Sequence, residues 1–362
     1  MSELARWAGG VIVGGFDGTT LPEVVRDRLS QGHLGGVTLF KRNIVDAMQT
    51  ASLCAEIADA GPSDLSPIVS IDQEGGRVAR LGAPVLQLPP MRVLGRIDDA
   101  GLTRRVARAL AEQLSAIGIN LDFAPVADVD SNPANPIIGD RAFGTAPSLV
   151  SEHVVAFIEG LRDGGVLGCA KHFPGHGDTS HDSHLELPSL RHDRARVDSV
   201  ELPPFRAAVK ARVASMMTAH VVFEGLTPGV PATLSRAVVT DLLRGELGFD
   251  GVCFSDDLHM KAISERYTVE RAAILAIEAG CDGLLVCTDP DSQERARLAL
   301  VGHAQDNPQF ANRLREASDR MTVMRGLAPL RPARDPQALL AVFHRADLAA
   351  LRDEIFTRAS RA

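Results

Sequence analysis

Cysteine is scarce here and badly spaced for crosslinking. The chain has five, Cys54, Cys169, Cys253, Cys281 and Cys287, an odd number with no C-x-x-C pair. Three of them lie in apolar, strand-like runs. Buried reduced thiols fit this pattern better than a disulfide framework and point to a reducing compartment, so a cytoplasmic location is expected. Long apolar runs are missing as well. None reaches about 18 residues, so no membrane span and no membrane partner are expected. The short run at Val11–Val13 has neither a basic leader nor a small-residue cleavage site, which argues against a signal peptide. Basic residues are not in excess: 38 Lys+Arg against 46 Asp+Glu give a net charge of −8. With no basic stripe, nucleic acid is not an expected partner. No G-x-G-x-x-G follows the first strand-like run, so a dinucleotide site has no support. Internal repeats and low-complexity segments are also absent.

What is present is a regular alternation. Short apolar runs recur near 10–16, 35–40, 67–72, 119–124, 167–172, 215–221, 251–256 and 283–288, each followed by a helix-like segment. Their apolarity is continuous rather than alternating, which indicates strands covered on both faces, as in a parallel sheet. In the helical segments, Ser235 is placed to cap a helix over 236–247, whose Val238, Val239, Leu242, Leu243 and Leu247 share a face, with Gly248 as the stop. The stretch 100–117 reads the same way, with Val106, Leu110, Leu114 and Ile117 on one side and Gly118 at its end. Eight strand–helix units predict an α/β fold, a (β/α)8 TIM barrel. A doubly wound open sheet is the alternative. After about residue 305 the strand pattern stops. The expected organisation is a catalytic barrel over 1–305 and a helical extension over 306–362 packed on it, its helices joined by a Pro-containing link at Leu330-Arg331-Pro332.

In such a barrel the chemistry sits at the C-terminal strand ends. Those ends carry Asp17, Lys41, Asp72, Asp122, Lys171 with His172, His220, Asp256 with Asp257, and Thr288. For Asp17, Lys41 and Thr288 this is as easily the ordinary start of a polar loop. Asp72, Lys171, His172 and Asp256 still belong to strongly apolar strands and stand out. Asp256 and Asp257 are neighbours, so on an extended strand only one can face the axis and serve as a nucleophile. The other would bond backbone amides or a neighbouring cation. Lys171–His184, KHFPGHGDTSHDSH, is the densest ionisable stretch. Its Asp182 and His184 lie two apart, so in an extended segment the carboxylate can orient the imidazole as a proton donor. Lys171, His172, Asp72 and Arg141 are candidate binders of hydroxyl groups. Gly75 and Gly76 permit a tight turn or a close approach beside Asp72.

The segments IDQEGGRVAR (71–80), KHFPGHGDTSHDSH (171–184), PATLS (231–235) and GFDGVCFSDDLHM (248–260) resemble the hallmarks of glycoside hydrolase family 3. They are most similar to its bacterial β-N-acetylglucosaminidase branch, associated with peptidoglycan recycling. The resemblance implies a retaining double displacement on a terminal β-linked N-acetylglucosamine, with no cofactor and no metal. Position by position it implies Asp256 as nucleophile, His184 as acid/base and Asp182 as its carboxylate partner. Asp72, Arg80, Arg141, Lys171 and His172 match the positions that hold the sugar ring. Many relatives carry a second domain that donates a glutamate acid. This chain is too short for one, which fits the histidine-loop arrangement. Residues 306–362 match nothing nameable.

Other readings of the same residues stay open on the sequence. His172, His176, Asp178, His181, Asp182 and His184 would suit a metal hydrolase. Lys171 at a strand end would suit a Schiff-base lyase. A sugar-binding barrel without catalysis and phosphorolytic release of the sugar are further alternatives. His220 is a possible pocket residue. Trp7 would cap a barrel end or join the core, and His153 and the remaining histidines read as solvated or core-satisfied.

Overall fold

The computed structural model describes residues 2–63, 65–180 and 187–361. Ten strands occur among them: β1 (Ile12–Gly14), β2 (Gly36–Leu39), β3 (Ile68–Ile71), β4 (Leu121–Asp122), β5 (Leu167–Phe173), β6 (Ser189–Leu190), β7 (Ser215–Thr218), β8 (Val222–Phe223), β9 (Val252–Phe254) and β10 (Leu284–Val286). Eight form one parallel sheet in the order β10-β1-β2-β3-β4-β5-β7-β9. β9 meets β10 through a parallel bridge between Phe254 and Gly283, continued where the Ser255 amide donates to the Gly283 carbonyl at 2.8 Å. The result is the expected (β/α)8 barrel. Every residue of β1, β2, β3, β7, β9 and β10 is buried, as strands covered on both faces must be.

Two deviations from the sequence expectation have local causes. β4 is two residues long rather than six, and its strand runs into Pro125, which has no N–H for the ladder. The expected strand 215–221 stops at Thr218. Val222 and Phe223 instead leave the barrel wall and pair with Ser189 and Leu190 in a separate parallel ribbon.

The helices form where the sequence signals lie. Ala100–Ile117 starts at Asp99, whose carboxylate accepts from the Leu102 amide, and stops at Gly118 with a φ of 100°. Val106, Leu110, Leu114 and Ile117 are its buried face. Ser235 caps the Ala237–Glu246 helix by accepting from the Val238 amide at 3.4 Å. That helix is wound in wider turns than a regular α-helix, and Leu247 falls outside its last turn.

The inside of the barrel is filled by Val13, Ile68, Leu121, Cys169 and Val252, and two further members come from far along the chain. Met321 and Met324, on the helix Pro308–Leu327, join this interior cluster. The helix is fastened by charge: buried Asp282 receives Arg244, Arg313 and Arg320, together with the Cys253 amide. Arg325 donates to the carbonyls of Leu65 and Ser66, and Asn120 to that of Ala328. Trp7, on the first helix Glu3–Gly10, packs half-buried against the core. No helix among the described residues is long and apolar enough to cross a membrane.

Candidate active site

The C-terminal strand ends surround a cavity of about 320 Å³. Asp72, Arg80, Arg141, Lys171, His172 and Asp256 all line it, so five predicted ring-binding positions and the predicted nucleophile share one space. Asp182 and His184 lie outside the described residues. Phe40, Phe123, Ile137, Met217 and Met260 add apolar wall, a mixture suited to a ligand with hydroxyls on its rim and C–H groups on its faces.

One ion-pair network forms the floor. The Lys171 ammonium donates to Asp72 at 2.7 Å and to Glu74 at 2.6 Å. Arg141 grips Glu74 with Nε and Nη2, both at 2.8 Å, and Arg80 reaches Asp72 at 3.3 Å. Burial opposes every one of these charges, and the partners overcome it. Lys171 and Arg80 hold the Asp72 carboxyl below its usual range, and Arg141 and Lys171 hold Glu74 far below it. The carboxylates in turn keep Lys171 and Arg141 protonated well beyond their ordinary values. A Schiff-base lysine must lose its proton to attack, so a lysine clamped between two carboxylates is unsuited to that role. What it can do is present a fixed N–H to a hydroxyl.

Glu74 was not among the candidate residues singled out from the sequence, although it sits inside the same DQEGGR run as Asp72. Its side chain is 1% exposed and joins two of the predicted binders. The turn that delivers it needs both glycines. Gly75 and Gly76 have φ of 111° and 54°, and a Cβ on either would come within 3.0 Å of Pro89 or Pro90. Gln73 braces the same turn: its side-chain oxygen accepts from the Arg80 and Leu81 amides, and its own amide donates to Asp122. Asp122 is fully buried below the cavity. Desolvation pushes its carboxyl up to about 7, against the Gln73 bond and the Lys171 charge.

Asp256 and Asp257 lie just past the end of β9 and both line the cavity, so they differ in their bonds rather than in the face they take. Asp257 is taken up by the backbone, accepting from the amides of His259 at 3.1 Å and Cys287 at 3.3 Å. Among the described residues, Asp256 accepts one bond, from the Asp257 amide at 2.8 Å, through a single oxygen. His220 does not line the cavity. It is buried and supports this turn, with Nε2 3.0 Å from the Asp257 carbonyl and Nδ1 2.8 Å from the Thr233 hydroxyl. Burial keeps the ring neutral despite the nearby Asp256. Thr233 also receives the Thr218 hydroxyl, which accounts for a polar residue inside the PATLS segment.

The Lys171–Thr179 stretch is more tightly held than its glycines suggest. Lys171 and His172 both line the cavity, and the peptide bond between them is cis. Asp128, buried on the segment after β4, accepts from His172 Nδ1 at 2.8 Å and from the amides of His172 and His176. Asn135 donates to the His176 carbonyl, Asn132 to that of Asp178, and His176 Nδ1 meets the Thr179 hydroxyl. Gly177 lies so close to Val129 that a Cβ would stand 1.8 Å from its carbonyl oxygen. The segment is therefore pinned, and Gly177 allows its close approach. Burial, helped by His172, pushes the His176 imidazole down to about 4. Asp128 carried no signal in the sequence, since its partners lie 44 and 48 residues away. Among the described residues, no three histidine, cysteine or acidic side chains converge as a ligand set for a metal ion. His153 is core-satisfied, bonded to Thr103 and stacked on Phe143.

Residues 12–320 match the model of the Glycosyl hydrolase family 3 N terminal domain. A beta-hexosaminidase of Chromobacterium violaceum is 40% identical over 303 residues, 82% of this chain and 83% of that one. A β-N-acetylglucosaminidase of Paenibacillus superimposes with a TM-score of 0.91 at 36% identity, over 99% of this chain and 69% of that one. NagZ of Neisseria gonorrhoeae, solved with N-trifluoroacetyl-D-glucosamine, gives a TM-score of 0.81 at 33% identity, over 97% and 98% of the two chains.

Proposed function

The chain belongs to glycosyl hydrolase family 3, and from that premise we propose that it is a retaining exo-β-N-acetylglucosaminidase. One observation carries the reading. Asp256, with one carboxylate oxygen held by a backbone amide, shares a small cavity with the Asp72–Lys171–Glu74–Arg141 network. At about 320 Å³ the cavity is at the lower end for ligand sites, which favours a single terminal sugar over a run of subsites.

In this mechanism Asp256 attacks the anomeric carbon as the glycosidic oxygen leaves, forming a covalent glycosyl-enzyme that water then opens. Retention needs a second group to protonate the leaving oxygen and later activate the water. His184, oriented by Asp182, takes that role, on the strength of the D-x-H spacing and the resemblance of the 171–184 run. Arg80, Arg141, Lys171 and His172 with Asp72 offer donors and acceptors to the sugar hydroxyls and the acetamido group. The name of the Paenibacillus β-N-acetylglucosaminidase and the N-trifluoroacetyl-D-glucosamine in the Neisseria gonorrhoeae structure support N-acetylglucosamine as the glycone. The aglycone is a muramic-acid-type fragment of peptidoglycan, as the same branch resemblance suggests. Five buried, unpaired cysteines support a cytoplasmic setting.

The test is turnover of an aryl β-N-acetylglucosaminide beside the matching β-glucoside, each with and without phosphate. Preference for the N-acetyl substrate, with free sugar as product in both buffers, is the expected result. A sugar phosphate formed only when phosphate is present would replace hydrolysis with phosphorolysis.

A further inference from the structure

Asp128 has an unusual load for a residue outside the cavity wall. Both its oxygens are committed: Oδ1 accepts the His176 amide at 2.7 Å and the His172 amide at 3.2 Å, while Oδ2 faces His172 Nδ1 at 2.8 Å. It is wholly buried, and its N–H partners mark it as an acceptor. The ring nitrogen opposite Oδ2 must then be the donor. Nε2, the other ring nitrogen, has no protein partner among the described residues, and His172 lines the cavity.

We infer that Asp128 is a positioning residue that holds the His172 proton on Nδ1 and so presents an unprotonated Nε2 to the ligand. The inference rests on the sugar-cleaving reading for its kinetic consequence but not for its geometry. Its value lies in what the surrounding side chains lack. Lys171 and Arg141 can only donate. A hydroxyl that accepts from either must place its own hydrogen on an acceptor, and the nearby carboxylates Asp72 and Glu74 are already engaged by cations. An imidazole with its Nε2 lone pair turned inward supplies that acceptor without adding negative charge beside Asp256. The opposite tautomer would set N–H against a cavity already rich in donors. The arrangement has the same logic as a carboxylate that fixes the tautomer of a catalytic histidine, here applied to a binding group.

The substitution Asp128→Asn tests this with little change in shape. The amide oxygen can keep both backbone N–H bonds. The amide nitrogen replaces Oδ2 and donates to Nδ1, which drives the proton to Nε2. Histidine side-chain nitrogen shifts and their long-range couplings to ring protons, with His172 assigned by comparison with His172→Gln, read the tautomer directly. The wild-type protein is expected to show the proton on Nδ1, and Asp128→Asn to show it on Nε2. KM for an aryl β-N-acetylglucosaminide is expected to rise about tenfold or more while kcat changes little, as for one lost hydrogen bond. A wild-type spectrum with the proton on Nε2 overturns the inference even if the variant fails to fold. So does a variant with the switched tautomer whose kcat/KM stays within about twofold of wild type. If the wild type turns over no β-N-acetylglucosaminide, the proposed activity fails, while the tautomer measurement still decides the role of Asp128.

Discussion

Arg141 and Glu74 meet through two parallel bonds of 2.8 Å across 67 residues of sequence, and Lys171 closes on the same carboxylate. A buried pair of this kind is costly to desolvate, so removing one partner is far worse than never having had the pair. Glu74→Gln keeps the shape but leaves two cations facing a neutral amide. It is expected to lower stability by about 3 kcal/mol and raise KM, checked by denaturant melts and steady-state kinetics. The pH sign follows from the depressed carboxyl. The charged form stabilises the fold above the unfolded value of 4.5 and loses that contribution as pH falls through the folded value. The gap between wild type and Glu74→Gln is therefore full at neutral pH and narrows below about 4.5. A gap independent of pH between 3 and 7 would contradict the account.

Asp122 has the opposite sign. Its carboxyl is pushed up to about 7 from 3.8, so the folded protein binds a proton that the unfolded chain has released across that interval. It costs nothing below about 3.8, and its penalty grows with pH until about 7. Asp122→Asn can keep the bond from the Gln73 amide and avoids the penalty. Its stability gain is expected to be near zero at pH 4 and to approach a ceiling of about 4 kcal/mol at pH 7 and above. Melting temperatures of the two proteins across pH 4 to 8 measure this directly. A variant less stable than wild type at pH 7.5 would show that the charge is compensated by something else.

Asp256 and Asp257 are separable by kinetics. Asp256→Ala is expected to lower kcat on the order of 10⁴-fold with the fold intact. Asp257→Ala should act mainly on stability, because that carboxylate ties the amides of His259 and Cys287. Wild-type turnover by Asp256→Ala would remove it as nucleophile.

His184 is tested through the leaving group. An alkyl or sugar aglycone must be protonated as it departs, whereas an activated aryl oxide need not be. His184→Ala is expected to retain most first-step activity on a dinitrophenyl glycoside and to lose about 10²-fold or more on a disaccharide. Equal losses on the two would assign the proton to another group.

The sequence displayed whatever depends on near neighbours. Ala100–Ile117 could be read from its apolar face and from Gly118, which marks its end locally. The eight strands could be located because both-face burial writes an uninterrupted apolar run. The expected split of Asp256 and Asp257 between two faces did not hold, because β9 stops at Phe254 and both side chains reach the cavity; only their bonding differs. Glu74 and Asp128 escaped for the complementary reason. Their meaning lies in partners that only the closed barrel supplies, and a buried aspartate in a loop looks in sequence like any solvated one. The helix Pro308–Leu327 falls in the expected helical extension, but its place in the barrel interior escaped, because Met321 and Met324 follow no strand pattern.

Met321 and Met324 give that helix a consequence for synthesis. All eight strands leave the ribosome before the segment that completes their interior does. Until then the end of the barrel away from the active site exposes apolar side chains and an Asp282 that still lacks Arg313 and Arg320. Folding of this chain therefore finishes late in translation, and a nascent protein halted near residue 305 would carry every strand and most of the candidate site yet have nothing to seat against its base.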